Sequence, residues 1–242
     1  MATAILRPAL LLAALLHAAP GQAQPERGVP DTLERRVAAC TSCHGSPSAP
    51  APAPAAGPRY FPHIAGKPAG YLFNQLQNFR AGRRQYPLMT YMVEHLSDDY
   101  LREIATYFAA QHLPALVLDR TTLPADQLER GRQLVTRGDA AAKVPACMAC
   151  HGQRLTGALP AIPGLLGLPR DYVNAQLGAW RNGTRRAQAP DCMATIAGRL
   201  SLADVAAVSA WLASEPLPED TSPAPDVVHP MPLACGSERQ QP

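Results

Sequence analysis

The fold class predicted for this chain is all-α: two tandem helical domains related by internal duplication. Three observations predict it. The pentapeptide Cys40-Thr41-Ser42-Cys43-His44 returns as Cys147-Met148-Ala149-Cys150-His151, each copy followed by glycine, Gly45 and Gly152. A second window then repeats without a gap: Pro62, Gly66, Pro68, Tyr71, Gln75, Leu76, Arg80, Gly82 and Arg84 match Pro163, Gly167, Pro169, Tyr172, Gln176, Leu177, Arg181, Gly183 and Arg185. Finally, no run alternates apolar and polar residues as a half-buried strand would, whereas helical spacing recurs.

Taken in order, residues 1–23 carry Arg7, an apolar run over 8–19 and the small residues Gly21-Gln22-Ala23. This is the pattern of an export signal cleaved near Ala23; the run is short for an uncleaved spanning anchor. The first domain, 24–115, opens with a short helix over 31–39, where Leu33 and Val37 stand at i and i+4, leading into the first motif. Residues 46–62 are dominated by Pro and Ala and read as an extended surface loop. A helix follows over 68–79, then a looser stretch over 81–91, then a helix N-capped by Ser97 and running to 110. The join falls near 113–124. In the second domain, 116–218, a longer helix over 125–137 presents Leu128, Leu134 and Val135 on one side, and the second motif and the repeated window follow it. Leu96-Ser97 matches Leu200-Ser201, and Tyr107 matches Trp211, in the helix that closes each domain. The Pro-rich tail, 219–242, has no counterpart in the first half and is predicted to be irregular.

The pentapeptide carries the chemistry. Two thiols separated by two residues can each add across a haem vinyl group, and the histidine next to the second thiol is then held under the iron. A lone Cys-x-x-Cys could be a thioredoxin-like redox pair or half a zinc site. The first needs a βαβ setting, and the second rarely places His directly after the second Cys. Two copies, each followed by glycine, point to two covalently bound haem c groups, on Cys40 and Cys43 and on Cys147 and Cys150, with His44 and His151 as proximal ligands. Aromatic residues make up only 5% of the chain, thin for two cores of this size unless a large apolar cofactor fills them. A formal charge of +3 gives no reason to expect nucleic-acid binding. Four of the six cysteines are used by haem. Cys192 and Cys235 remain, free to pair in an oxidising compartment and tie the tail down, or to stay apart.

The repeat also selects the sixth ligands. Met193 stands seven residues before Leu200 and Met89 seven before Leu96, which favours Met89 over Met92, the residue aligned with Ile196. The competing reading is that these methionines fill the core. His63, His95 and His112 are rival ligands, but their repeat partners Gly164, Arg199 and Pro216 cannot bind iron alike. A thioether in the sixth position raises the potential and closes the iron to oxygen and peroxide, so such a site moves electrons and needs no catalytic residue. Arg80, Arg83 and Arg84, with Arg181, Arg185 and Arg186, form two basic clusters. They are either a solvated face, or groups that pair with haem propionates or steer an acidic partner.

With both motifs, the lead-in over 131–147 containing Gly138-Asp139-Ala140-Ala141, the Gly-x-Pro-x-x-Tyr segments and the Met-to-Leu-Ser spacing in view, the chain resembles the cytochrome c4 family over residues 33–217. That resemblance implies two class I cytochrome c domains with His/Met haems in the periplasm. It also implies redox partners: a terminal cytochrome oxidase, the cytochrome bc1 complex or a dehydrogenase, with any membrane association made through them. The Pro/Ala insertion, Arg36 where the second half has Gly131, and the cysteine-bearing tail depart from the family pattern. The alternative is the cytochrome subunit of a dehydrogenase complex, such as a flavocytochrome acting on sulfide or an enzyme acting on an alcohol. A haem enzyme such as a peroxidase, or a gas sensor, would need a sixth position that opens, against the equal methionine spacing.

Overall fold

The computed structural model describes residues 31–45, 60–112, 123–227 and 229–238. Met1–Asp31 falls in one unit and Thr32–Pro242 in a second. The predicted export signal, nearly all of the Pro/Ala loop and most of the join over 113–124 lie outside the described residues.

The first motif is helical. Where one short helix is predicted over 31–39, two occur: α1 (Leu33–Arg36), capped by Thr32, and α2 (Ala38–His44), which carries the whole motif. They break at the fully buried Val37. In the second half the motif lies on α7 (Met148–His151). Both motif helices stop at glycine, Gly45 with φ +84° and Gly152 with φ +83°, a backbone region L side chains rarely adopt. The glycine after each motif is thus a helix terminator.

α3 (Ala69–Arg80) and α8 (Arg170–Arg181) are the repeated window, each entered through an extended proline, Pro68 or Pro169. The stretch predicted to be loose contains α4 (Pro87–Val93), started by Pro87 with its preset φ. Its sequence lacks a clear apolar stripe, because Leu88 and Tyr91 face solvent while Val93 is buried. Its counterpart is α9 (Cys192–Arg199), whose N-cap Asp191 accepts from the Ala194 N–H at 3.0 Å. α5 (Asp98–Ala109) starts at Ser97 as predicted, and α10 (Leu202–Ser214) begins with a full capping box between Ser201 and Asp204.

α6 (Ala125–Thr136) lies directly against α10. The approach requires Gly131, since a Cβ there would sit 2.3 Å from the Ala207 carbonyl oxygen. In the first half α1 meets α5 instead, and Arg36, at the position matching Gly131, pairs with Glu103 at 3.3 Å. A two-residue antiparallel ladder, β1 (Gly157–Ala158) with β2 (Ile162–Pro163), is a small addition to the strand-free expectation, and the fold remains all-α.

Each half has its own core. Val37, Leu72, Phe73, Leu101, Ile104 and Phe108 anchor the first; Leu134, Val135, Tyr172, Leu177, Val208 and Leu212 anchor the second. The tail is irregular as predicted, yet it is fastened. Val227 packs with Ala158 and Ile162, and Ala224 exchanges backbone bonds with Leu159 and Gly157 at 2.8 and 2.9 Å. Cys192 and Cys235 form a disulfide with their Cα atoms 5.0 Å apart. Among the described residues no single helix is long and apolar enough to cross a membrane.

Candidate haem sites

In both halves the first attachment cysteine and the selected methionine meet one core. Cys40, Met89 and Met92 pack on the first cluster, and Cys147, Met148 and Met193 on the second. Met89 and Met92 are both half-buried on α4, one turn apart. Met148 belongs to the attachment helix itself, whereas Met193 comes from α9. None of the four motif cysteines is in a disulfide. Burial pushes the Cys40 thiol up and that of Cys147 up to about 12. At Cys150 burial and then the Glu238 carboxylate act in the same direction.

The histidines are set for ligation. His44 Nδ1 lies 2.9 Å from the Pro62 carbonyl oxygen, and His151 Nδ1 lies 2.7 Å from that of Pro163, the matched residue of the repeat. A carbonyl only accepts, so each Nδ1 carries the proton and each Nε2 keeps its lone pair for a metal. Burial lowers the pKa of both rings, which keeps them neutral as a ligand must be. The rival histidines are placed otherwise. His63 packs on Gly45, where a Cβ would come 3.1 Å from its Nδ1, and His95 is exposed beside Glu94.

The basic clusters divide. Arg80 caps backbone and side-chain acceptors at Leu96 and Asp98, and Arg181 bonds the carbonyls of Ala197 and Leu200. Arg84 and Arg185, in contrast, are buried, 9% and 5% exposed, and face each other across the interface of the two halves. A solvated face is therefore the wrong reading for these two. The backbone binds them together: the Gln85 N–H donates to the Thr184 carbonyl at 2.9 Å and the Arg186 N–H to the Arg83 carbonyl at 2.7 Å. Because Arg84 and Arg185 are equivalent in the repeat, the contact is self-complementary, as at a two-fold axis.

The side chains repeat the symmetry. Arg84 donates to Gln75 at 2.9 Å, Gln176 at 2.7 Å and the Tyr172 hydroxyl at 3.0 Å; Arg185 donates to Gln176 at 2.8 Å and Gln75 at 3.1 Å. Each guanidinium stacks on an aromatic ring of its own half, Arg84 on Phe79 at 4.5 Å and Arg185 on Trp180 at 3.7 Å. Burial and the neighbouring Arg84 lower the pKa of Arg185. At Tyr172 burial, which raises the pKa, is outweighed by Arg84 and Arg185.

Lys67 joins them as a third cation, 7% exposed, donating from Nζ to the Gly164 carbonyl at 2.9 Å. Burial pushes its pKa down to about 8. Among the described residues no carboxylate forms an ion pair with Lys67, Arg84 or Arg185. Buried cations without counter-charge cost several kcal/mol each. Together with paired cysteines outside any disulfide and preset imidazoles, they fit a cofactor that is apolar, metal-bearing and edged with carboxylates, as haem is. The pairing of Arg84 with Arg185 was detectable in principle as a match of the repeat with itself; Lys67 stands where the second half has Leu168.

No protein-family profile matches the chain. It is 35% identical over 181 residues to the thiosulfate dehydrogenase electron acceptor of Thiomonas intermedia (strain K12), covering 75% of this chain and 80% of that protein. It is 34% identical over 182 residues to cytochrome c4 of Pseudomonas aeruginosa, covering 74% and 85%. Among solved structures, reduced recombinant cytochrome c4 from Pseudomonas stutzeri superposes with a TM-score of 0.62 and 32% identity, over 75% of this chain and 95% of that one.

Proposed function

The chain belongs to the cytochrome c4 family of electron-transfer haem proteins, and from that premise we propose that it is a diheme electron carrier of the periplasm. Its parts are an export signal over 1–23, cytochrome c domains over 24–115 and 116–218, and a tail over 219–242. Haem c, when bound, supplies a one-electron Fe(III)/Fe(II) couple. Cys40 and Cys43 hold the first haem through thioethers and Cys147 and Cys150 the second. The His44 and His151 Nε2 atoms would ligate the iron, with Met89 and Met193 as its further protein ligands. Lys67, Arg84 and Arg185 supply the counter-charge for propionates at the interface of the two domains.

The observation that carries this reading is the doubled Nδ1–H bond to Pro62 and Pro163, which presents the same nitrogen in both halves. Because a relative is named as an electron acceptor of thiosulfate dehydrogenase, a dehydrogenase of that kind is the proposed donor, with the bc1 complex as another donor, and a terminal oxidase the acceptor at the other end. A second reading, a subunit held permanently in a dehydrogenase complex, rests on the same likeness and differs in copurification.

The test is haem content per chain, followed by carbon monoxide titration of the reduced, mature protein. Two haems that both ignore carbon monoxide are expected, with Met89→Ala and Met193→Ala each opening one of them. Carbon monoxide binding by the unmodified protein would overturn closed ligation and favour a peroxidase or sensor. Opening in Met92→Ala but not in Met89→Ala would move the first ligand to Met92.

A further inference from the structure

The two haem sites are built from matched residues, so their differences must come from residues the repeat does not match. Arg84 and Arg185 are matched and bonded across a pseudo-two-fold contact. Lys67 is not matched. Its partner position holds Leu168, an apolar residue packed on the second core. Lys67 belongs to the first half, yet its Nζ bonds the carbonyl of Gly164, and Gly164 follows Pro163, whose own carbonyl holds the His151 ring. One domain thus places a buried cation in the proximal loop of the other, and among the described residues nothing equivalent returns the contact.

Resting on the diheme reading above, we propose that Lys67 sets the redox asymmetry of the protein, its ammonium raising the potential of the second haem relative to the first. A cation near a haem opposes the gain of positive charge on oxidation to Fe(III). It also opposes electron donation by the imidazole, since the Pro163 carbonyl that polarises the His151 N–H lies next to the bonded peptide. Both effects have the same sign, so an electron entering the protein rests on the second haem. For two unit charges roughly 10 Å apart at an effective dielectric of about 20, the effect on the electron's distribution is on the order of tenfold. Glu238 in the tail is a further unmatched charge, buried on the Cys150 side and 4.0 Å from His229. It acts in the opposite sense on the same haem.

The experiment is a spectroelectrochemical titration of the holoprotein in unmodified, Lys67→Gln, Lys67→Met and Lys67→Arg forms. Haem content and the methionine–Fe(III) charge-transfer band are recorded first. The wave of the second haem is identified through Met193→His, whose bis-histidine ligation lowers that wave alone. Lys67→Gln keeps a donor for the Gly164 carbonyl while removing the charge, and Lys67→Met removes both. The expected result is a fall of the second potential in both, about tenfold in the distribution of one electron between the haems, with the first potential unmoved and Lys67→Arg close to the unmodified protein. Equal shifts of both waves, no shift in Lys67→Gln, or a shift in Lys67→Arg as large as in Lys67→Met would overturn the proposal while leaving the diheme reading in place. A single haem per chain, or absence of the methionine band, would overturn that reading and the proposal with it.

Discussion

Replacing both Cys192 and Cys235 by alanine separates what the disulfide does to the unfolded chain from what it does to the fold. The bond closes a loop with a sequence separation of 43 residues. The chain-entropy relation for a loop of that length gives about 4 kcal/mol of stabilisation, all of it from restricting the unfolded ensemble. In a chain of this size, such a loss lowers the midpoint of thermal unfolding by about 8–16 °C. The folded tail has other anchors: the Gly236 N–H donates to the Pro190 carbonyl at 2.9 Å, Asn74 Nδ2 to the Ser237 carbonyl at 3.2 Å, and Arg154 pairs with Asp220 at 2.8 Å. The tail of the double variant should therefore stay docked while stability falls. Guanidinium denaturation of the oxidised holoprotein by circular dichroism, with limited proteolysis of the tail under native conditions, reads both quantities. A stability loss below about 1 kcal/mol, or a tail cut as fast as an unstructured peptide, would refute the loop-closure reasoning.

Gly131→Ala should destabilise the protein by about 1–3 kcal/mol, because the added Cβ meets the Ala207 carbonyl at 2.3 Å and the Trp211 Cβ at 2.9 Å. Gly178→Ala on α8, where a Cβ meets nothing within 4 Å, should instead stabilise by about 0.5–1 kcal/mol; denaturant midpoints of the pair check the contrast. Arg130 bridges Asp139 and Asp204, each at 2.8 Å. The Ala142 N–H and then Arg130 hold the Asp139 carboxyl below its ordinary 3.8. At Asp204 burial, which raises the pKa, is outweighed by Arg130 and Ser201. Both carboxyls bind their proton more weakly in the folded state. The stability they supply is therefore full above about pH 4 and is lost as pH falls through the lowered folded values. Arg130→Met should flatten that acid-side slope, and an unchanged dependence of the denaturant midpoint on pH would count against it.

How much of this was written in the chain can be judged residue by residue. The two motifs, their glycine stops and the matched prolines and tyrosines are local or periodic signals, and they sufficed for the duplicated all-α fold and the family. The cap Ser97 was visible because a helix start depends on the few residues around it. α4 was missed because its exposed Leu88 and Tyr91 hide the amphipathic stripe by which a short helix is recognised. The break at Val37 was missed for a related reason: Leu33 and Val37 keep helical spacing across it, and spacing does not report a local change in the backbone at one residue.

The sequence alone carried the proposed attachment chemistry, since attachment and proximal ligation need only five consecutive residues in fixed order. It also narrowed the sixth ligand to residues at equal distance from a shared landmark. The tertiary structure decided what depends on approach between distant segments. It joined Cys192 to Cys235, where the sequence left two unassigned thiols. It turned Arg84 and Arg185 from members of basic runs into a buried pair, and carried Lys67 across 97 positions to Gly164. Charge runs read alike whether they face water or a neighbouring domain. What separates the two cases is desolvation, a property of the packed interface rather than of the residues in line.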